Sequence, residues 1–210
     1  MKSSFFKYFI LISALILITQ ATNYLLDFNT LIHNSLADKL TSQQIDNFFE
    51  FSSKWQWLSY LLIAIILLIK VSIITSVLYI GVFLFSNMIV TFKQLWNIVI
   101  TAEFIFLLVP IIKTIWFYFF QTNYALEDVQ YFYPLSSLNI IGHKGLEPWL
   151  IYPFQTLNFF ELGYWLILAY YIGKATETTM DHGLKIVASS YGSALLLWVV
   201  VIMFFTLNYS

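Results

Sequence analysis

The stretch WLSYLLIAIILLIKVSIITSVLYIGVFLF, residues 57–85, contains one charged residue, Lys70. A membrane-crossing helix needs about 20 apolar residues, so this run is long for one upright span and short for two. It reads as one long helix, tilted or extending past the cytoplasmic face. Trp55, Trp57 and Tyr60 mark its outer interface, because amphipathic rings collect at headgroup depth. The rest of the chain cannot bury such a helix in water. Apolar residues make up 60% of the sequence and charged ones 10%, against roughly 25% charged in soluble domains. Mean hydropathy is +0.79. Lipid must cover this surface.

Four further apolar runs flank the first. Residues 5–26 form an N-terminal run with a core from Tyr8 to Ile18. Lys2 and Lys7 ahead of it, with Thr19-Gln20-Ala21 as a cleavage site, also fit a signal peptide; an uncleaved span is the preferred reading. Residues 95–120 hold Glu103, Pro110 and Lys113, and Pro110 removes a backbone donor in mid-helix, which predicts a kink. Runs at 154–173 and 184–207 complete the set. The expected fold is therefore all-α: one domain, a polytopic bundle of about five spans.

Lysine placement orients this bundle. Lys2, Lys7, Lys93, Lys174 and Lys185 fall in short pieces on one side. The longer pieces on the other side hold Lys39, Lys54 and Lys144 among seven acids. Lysine-rich short loops stay in the cytoplasm, so the N-terminus is expected inside and the C-terminus outside, although Lys54 disagrees mildly. A multi-pass protein of a bacterial inner membrane is the expected setting. In the first outer segment, Phe28, Leu31, Ile32 and Leu36 have helical spacing, as in an amphipathic helix lying on the membrane. The second, from Thr122 to Pro153, is rich in tyrosine and proline and suits an interfacial loop folded over the mouth of the bundle.

Four ionisable residues fall inside the expected spans: Lys70, Glu103, Lys113 and Glu161. Charges in hydrocarbon cost at least ~2.5–3.5 kcal/mol each on insertion scales, so they face the bundle interior and pair. Depth along antiparallel helices matches Lys70 with Glu103 and Lys113 with Glu161. Such pairs either relay protons or ions, or hold helix register. Register is favoured, because no cluster of serine, asparagine and acid marks a hydrophilic path.

The last span opens on small residues. Ala188 with Gly192 and Ser189 with Ser193 are four apart, a spacing that lets helix backbones approach closely; Ala169 and Gly173 repeat it in the span before. Packing between these two spans is expected ahead of a dimer interface. No histidine accompanies the serines on a span, and no nucleophile elbow, Walker, Rossmann, zinc-protease or calcium-loop pattern occurs. His33, His143 and His182 lack ligand spacing and read as solvated loop residues. The chain has no cysteine and no arginine, which removes thiolate chemistry and the bidentate phosphate clamp. No enzyme activity, cofactor, metal or nucleic-acid partner is expected.

Two stretches carry a family resemblance. Thr91-Phe92-Lys93-Gln94-Leu95-Trp96 enters a span after a short turn, and Asn158-Phe159-Phe160-Glu161-Leu162 leads into Gly163-Tyr164-Trp165-Leu166, followed by a lysine-bearing turn and a last apolar span. With the hydropathy order, they make the chain resemble the Yip-domain family of five-span membrane proteins, in its bacterial form. The Asp-Leu-Tyr-Gly-Pro signature of eukaryotic members is absent. The resemblance implies a non-enzymatic membrane component that works through protein or lipid contacts.

The resulting expectation is a subunit or accessory component of a membrane complex, such as an ABC-type exporter. Its partners would be lipid together with other membrane proteins or further copies of itself. The alternative is a small ion-coupled carrier using the Lys/Glu pairs.

Overall fold

The computed structural model of the protein describes residues 2–37, 39–86 and 88–209, and the side chains of 4–37, 39–86 and 88–208. The Lys2 side chain, counted above for orientation, lies outside that set. Helices α1 (Lys2–Leu25), α2 (Phe28–Ala37), α3 (Ser42–Phe85) and α4 (Phe92–Glu103) come first. A 3-10 turn, Phe104–Leu107, joins α4 to α5 (Leu108–Phe119). Three short helices follow: α6 (Leu126–Tyr131), α7 (Ser137–Ile141) and α8 (Pro148–Thr156). Then come α9 (Phe159–Ala175), α10 (Met180–Val187), a π-helical turn at Ala188–Gly192, and α11 (Ser193–Tyr209). Among the described residues no strand forms. Four helical stretches are long and apolar enough to cross a membrane, namely Ser4–Leu25, Ser42–Phe85, Phe92–Phe119 and Met180–Asn208. They mark the chain as an integral membrane protein.

Local chemistry sets the helix starts. Thr41 with Gln44 and Thr91 with Gln94 form reciprocal capping boxes, which satisfy backbone donors at the starts of α3 and α4. The first of these boxes begins α3 well before the apolar run, so the helix is 44 residues long, about 66 Å at 1.5 Å per residue. The helix therefore starts well before the apolar run, beside α2, and ends with the run at Phe85. Asn158 accepts from the Glu161 backbone N–H at 2.8 Å and starts α9 afresh, which separates it from α8. The apolar run expected at 154–173 is consequently split, and α9 runs from 159 to 175.

Pro110 perturbs its helix, but one turn upstream. Its ring presses on the carbonyl of the residue four before it, Phe106, and no N–H is present to bond that oxygen. The 3-10 turn sits over that residue.

Side-chain bonds give the directions of packing. Ser4, Lys7 and Thr22 of α1 meet Asn97, Thr101 and Thr114, in that order, so α1 runs parallel to α4–α5. Lys7 lies alongside α4, where its Nζ donates to the Thr101 hydroxyl at 3.0 Å. The α3–α4 and α9–α10 turns share one end of the bundle, where His182 of α10 reaches the Phe85 carbonyl at the end of α3.

The core follows helical spacing. Val71, Leu78 and Val82 of α3, Leu95, Val99 and Ala102 of α4, Tyr164, Leu168 and Ile172 of α9, and Ile186 and Val187 of α10 are buried together. The closest backbone approach joins α9 to α10. A methyl group added at Gly183 would overlap the Ala169 carbonyl oxygen, and one at Gly173 would come within 2.7 Å of the Thr179 carbonyl oxygen. Small residues at the helix interface allow this contact.

At the opposite end, residues 120–158 cover the bundle as short helices more than as a loop. Val129 packs with Leu26 and Phe117. Phe132 stacks on Trp116 with ring centroids 5.7 Å apart. Ser137 N–H donates to the Leu157 carbonyl at 2.9 Å, which closes α7 and α8 into a hairpin.

Candidate functional site

Two carboxylates, a lysine and two tyrosines lie near one another in depth within the bundle. Measured from the end bearing the two tight turns, Glu103, Tyr164 and Tyr191 lie about 16 Å along their helices, and Lys70 and Glu161 about 21 to 22 Å. Lys70 points from α3 and Glu103 from the last turn of α4, and Lys70 Nζ stands 2.7 Å from Glu103 Oε2. The ammonium also sits 4.4 Å from the Phe106 ring centroid, on the 3-10 turn caused by Pro110. A cation over an aromatic face gains further electrostatic attraction. Glu103 is 3% exposed, whereas the Lys70 side chain is 42% exposed on the bundle flank. The lysine stem therefore lies along the outer surface while its head turns inward.

The second expected pair does not form. Lys113 Nζ donates to the Val129 carbonyl of α6 at 2.7 Å. Glu161 Oε1 accepts instead from Trp165 Nε1–H at 2.9 Å and from the Tyr191 hydroxyl at 2.7 Å. The physical reason is the fold of residues 120–158. It lowers a backbone carbonyl onto Lys113, while the fresh start of α9 at Asn158 turns Glu161 toward the π-helical turn.

Tyrosines connect the two carboxylates. The Tyr191 ring meets Tyr164 edge-on with centroids 5.5 Å apart, and Tyr164 packs on Phe106 at 5.1 Å. Glu103 Oε1 and the Tyr164 hydroxyl are both buried without a well-formed hydrogen bond, yet they interact electrostatically with each other. Tyr133, from the covering segment, lies close to Glu161; burial first, then that carboxylate, push its phenol up to about 12. It is a neutral hydroxyl at any physiological pH. Tyr152 lies in the same neighbourhood and accepts from Trp198 Nε1–H at 2.9 Å.

The small residues divide differently from expectation. Gly192 does face α9, since a methyl there would come within 2.5 Å of the Trp165 ring. Ala188, Ser189 and Ser193 lie on the outer surface, and the two serines bond carbonyls of their own helix. The π-helical turn explains this, because its extra residue per turn rotates the stripe away from α9. In its place Gly81 of α3 packs on Ser190, and Gly183 packs on Ala169.

Tyr164, Tyr191, Phe106 and His182 are absent from the sequence-derived set. The Glu161 to Trp165 spacing of one helical turn was a usable signal. Tyr191 stood out only as a bulky residue within a run of small ones. His182 is no free loop residue, because its Nε2–H donates to the Phe85 carbonyl at 3.0 Å and caps α3. Among the described residues, no three histidine, aspartate or glutamate side chains gather as a metal site would require. No protein-family model, curated protein or solved structure matches the chain.

Proposed function

We propose that the protein is a non-enzymatic subunit or assembly component of a membrane complex. The observation that carries this reading is the N-terminal part of α3. Residues 46–57 are exposed almost throughout, and Phe48, Phe51 and Trp55 recur at helical spacing along one face. Phe51 is 64% and Trp57 59% exposed. A rigid arm with an unpartnered aromatic face, continuous with a span, suits attachment to a neighbouring membrane protein at the interface. In this reading α9, 17 residues and about 25 Å long, is a fifth span. The N-terminus is inside and the C-terminus outside, as the lysine placement favours, and a bacterial inner membrane is the setting. An exporter of the ABC type is one such complex.

The test is purification in mild detergent with measurement of particle mass and of co-purifying chains. A stoichiometric partner that Phe51→Ser with Trp55→Ser releases supports the reading. A particle of one chain only, unchanged by those substitutions, overturns it.

A second reading, a small ion-coupled carrier, is favoured by the Lys70–Glu103 pair at mid-bundle depth and its continuation through tyrosines to Glu161. Buried ionisable residues in spans commonly mark ion pathways. Liposome flux that Glu103→Gln abolishes would support it.

A further inference from the structure

The three charges that meet at mid-bundle do not cancel. Lys70 neutralises Glu103. Among the described residues the lysine–carboxylate pair within 4.0 Å is Lys70–Glu103, and no lysine or histidine reaches Glu161 within that distance. Its Oε1 is held by two neutral donors, an indole N–H and a phenol O–H. No described residue donates to its Oε2. A partly buried carboxylate with no cation against it is disfavoured as the charged form, and a proton or another cation relieves that cost.

The surroundings select the cation. The groups around Glu161 are Lys70 from α3, Glu103 from α4, Tyr164 and Trp165 from its own helix, Tyr191 from the π-helical turn, and Tyr133 near it from the covering segment, with Tyr152 of α8 next to Tyr133. A metal ion wants several oxygen lone pairs, as calcium and magnesium sites display. Here the indole and the nearest hydroxyl present hydrogens, and those hydrogens would repel a metal. A proton needs a single free lone pair, and Oε2 has it. A second feature lies one ring away: the fully buried Tyr164 hydroxyl and Glu103 Oε1 interact with each other but form no well-formed hydrogen bond.

The geometry points to a proton-binding site at Glu161, with Tyr191 anchoring one carboxyl oxygen and Tyr133 and Tyr152 forming the approach from the covered end. One proton passes from a hydronium ion in solution to Oε2: an O–H bond of the hydronium breaks, one forms at Oε2, and water is left. The site stands whether the protein is a complex subunit or a carrier.

Infrared difference spectroscopy on the full chain in lipid nanodiscs, taken between neutral and alkaline buffer, tests this. A protonated-carboxyl C=O stretch is expected at neutral pH. It should shift down in D2O, vanish in Glu161→Gln and persist in Glu103→Gln. Tyr191→Phe should move its frequency by removing the phenol bond, and this decides the matter if circular dichroism finds Glu161→Gln unfolded. A wild-type chain without the band, a band intact in Glu161→Gln, or a frequency unmoved in Tyr191→Phe overturns the site. A band present without any proton flux in liposomes keeps the site and removes only the carrier reading.

Discussion

Lys70 of α3 and Glu103 of α4 meet at 2.7 Å, with the Phe106 ring 4.4 Å beneath the ammonium. The carboxylate is buried and the lysine stem lies along the flank. Removing one member of such a pair leaves the other charge without compensation. Lys70→Met is therefore expected to destabilise the bundle by about 3 kcal/mol, and Lys70→Met with Glu103→Met to recover most of that loss. Thermal unfolding of the two single variants and the double variant in detergent gives the coupling energy directly. A double variant as unstable as the sum of the singles would mean that the two residues act separately.

Gly183 holds α10 against the Ala169 carbonyl of α9. The clash here is with backbone, which cannot rotate away as a side chain end can. Gly183→Val is expected to cost about 1–3 kcal/mol through overpacking, and more if the α9–α10 hairpin opens. Gly145 has open space around it, with φ of +79°, so Gly145→Ala is expected to cost only the left-handed backbone penalty, roughly 1–2 kcal/mol. Comparing melting temperatures of the two variants separates packing from backbone conformation.

The apolar runs make most of the bundle legible from sequence, because helices in lipid must satisfy their backbone bonds internally and hydropathy alone locates them. The Lys70–Glu103 pair is legible for a related reason. Both residues sit midway along neighbouring apolar runs of opposite direction, so depth suffices to match them. The same reasoning fails for Lys113 and Glu161, because the covering helices between 120 and 158 supply the Val129 carbonyl. That contact depends on a loop fold that periodicity does not encode. Tyr191 escapes for another reason. It sits in the π-helical turn, and the extra residue there breaks the 3.6 period on which a facing argument rests. The start of α3 is hidden by polarity: Ser42 to Lys54 hold no apolar run, yet the Thr41–Gln44 capping box makes them helix.

His182 shows how a turn residue can matter to a distant helix end. Its Nε2–H satisfies the Phe85 carbonyl, one of the orphan acceptors that every helix C-terminus leaves. His182→Ala is expected to lower stability by about 0.5–1.5 kcal/mol and to speed amide exchange in the last turn of α3, with no change near Thr41. Hydrogen exchange read by mass spectrometry resolves the two ends. Equal exchange at both would remove the capping role.

The aromatic face of the α3 arm separates association from stability. Phe51 and Trp55 have ring centroids 6.2 Å apart and Trp55 stacks on Trp57 at 6.3 Å, but these rings lie outside the buried core. Exposed positions away from buried networks usually change stability by no more than about 0.5 kcal/mol. Phe51→Ser with Trp55→Ser should therefore leave the melting temperature of the isolated chain nearly unchanged. Interface hot spots are rich in aromatic anchors, and losing one costs about 2 kcal/mol or more of binding, so the same double variant should weaken association at least thirtyfold, by roughly that energy. Melting in detergent and partner retention on a gel-filtration column measure the two effects on one preparation. A drop in melting temperature matching the loss of association would mean that the arm supports the fold and carries no docking face.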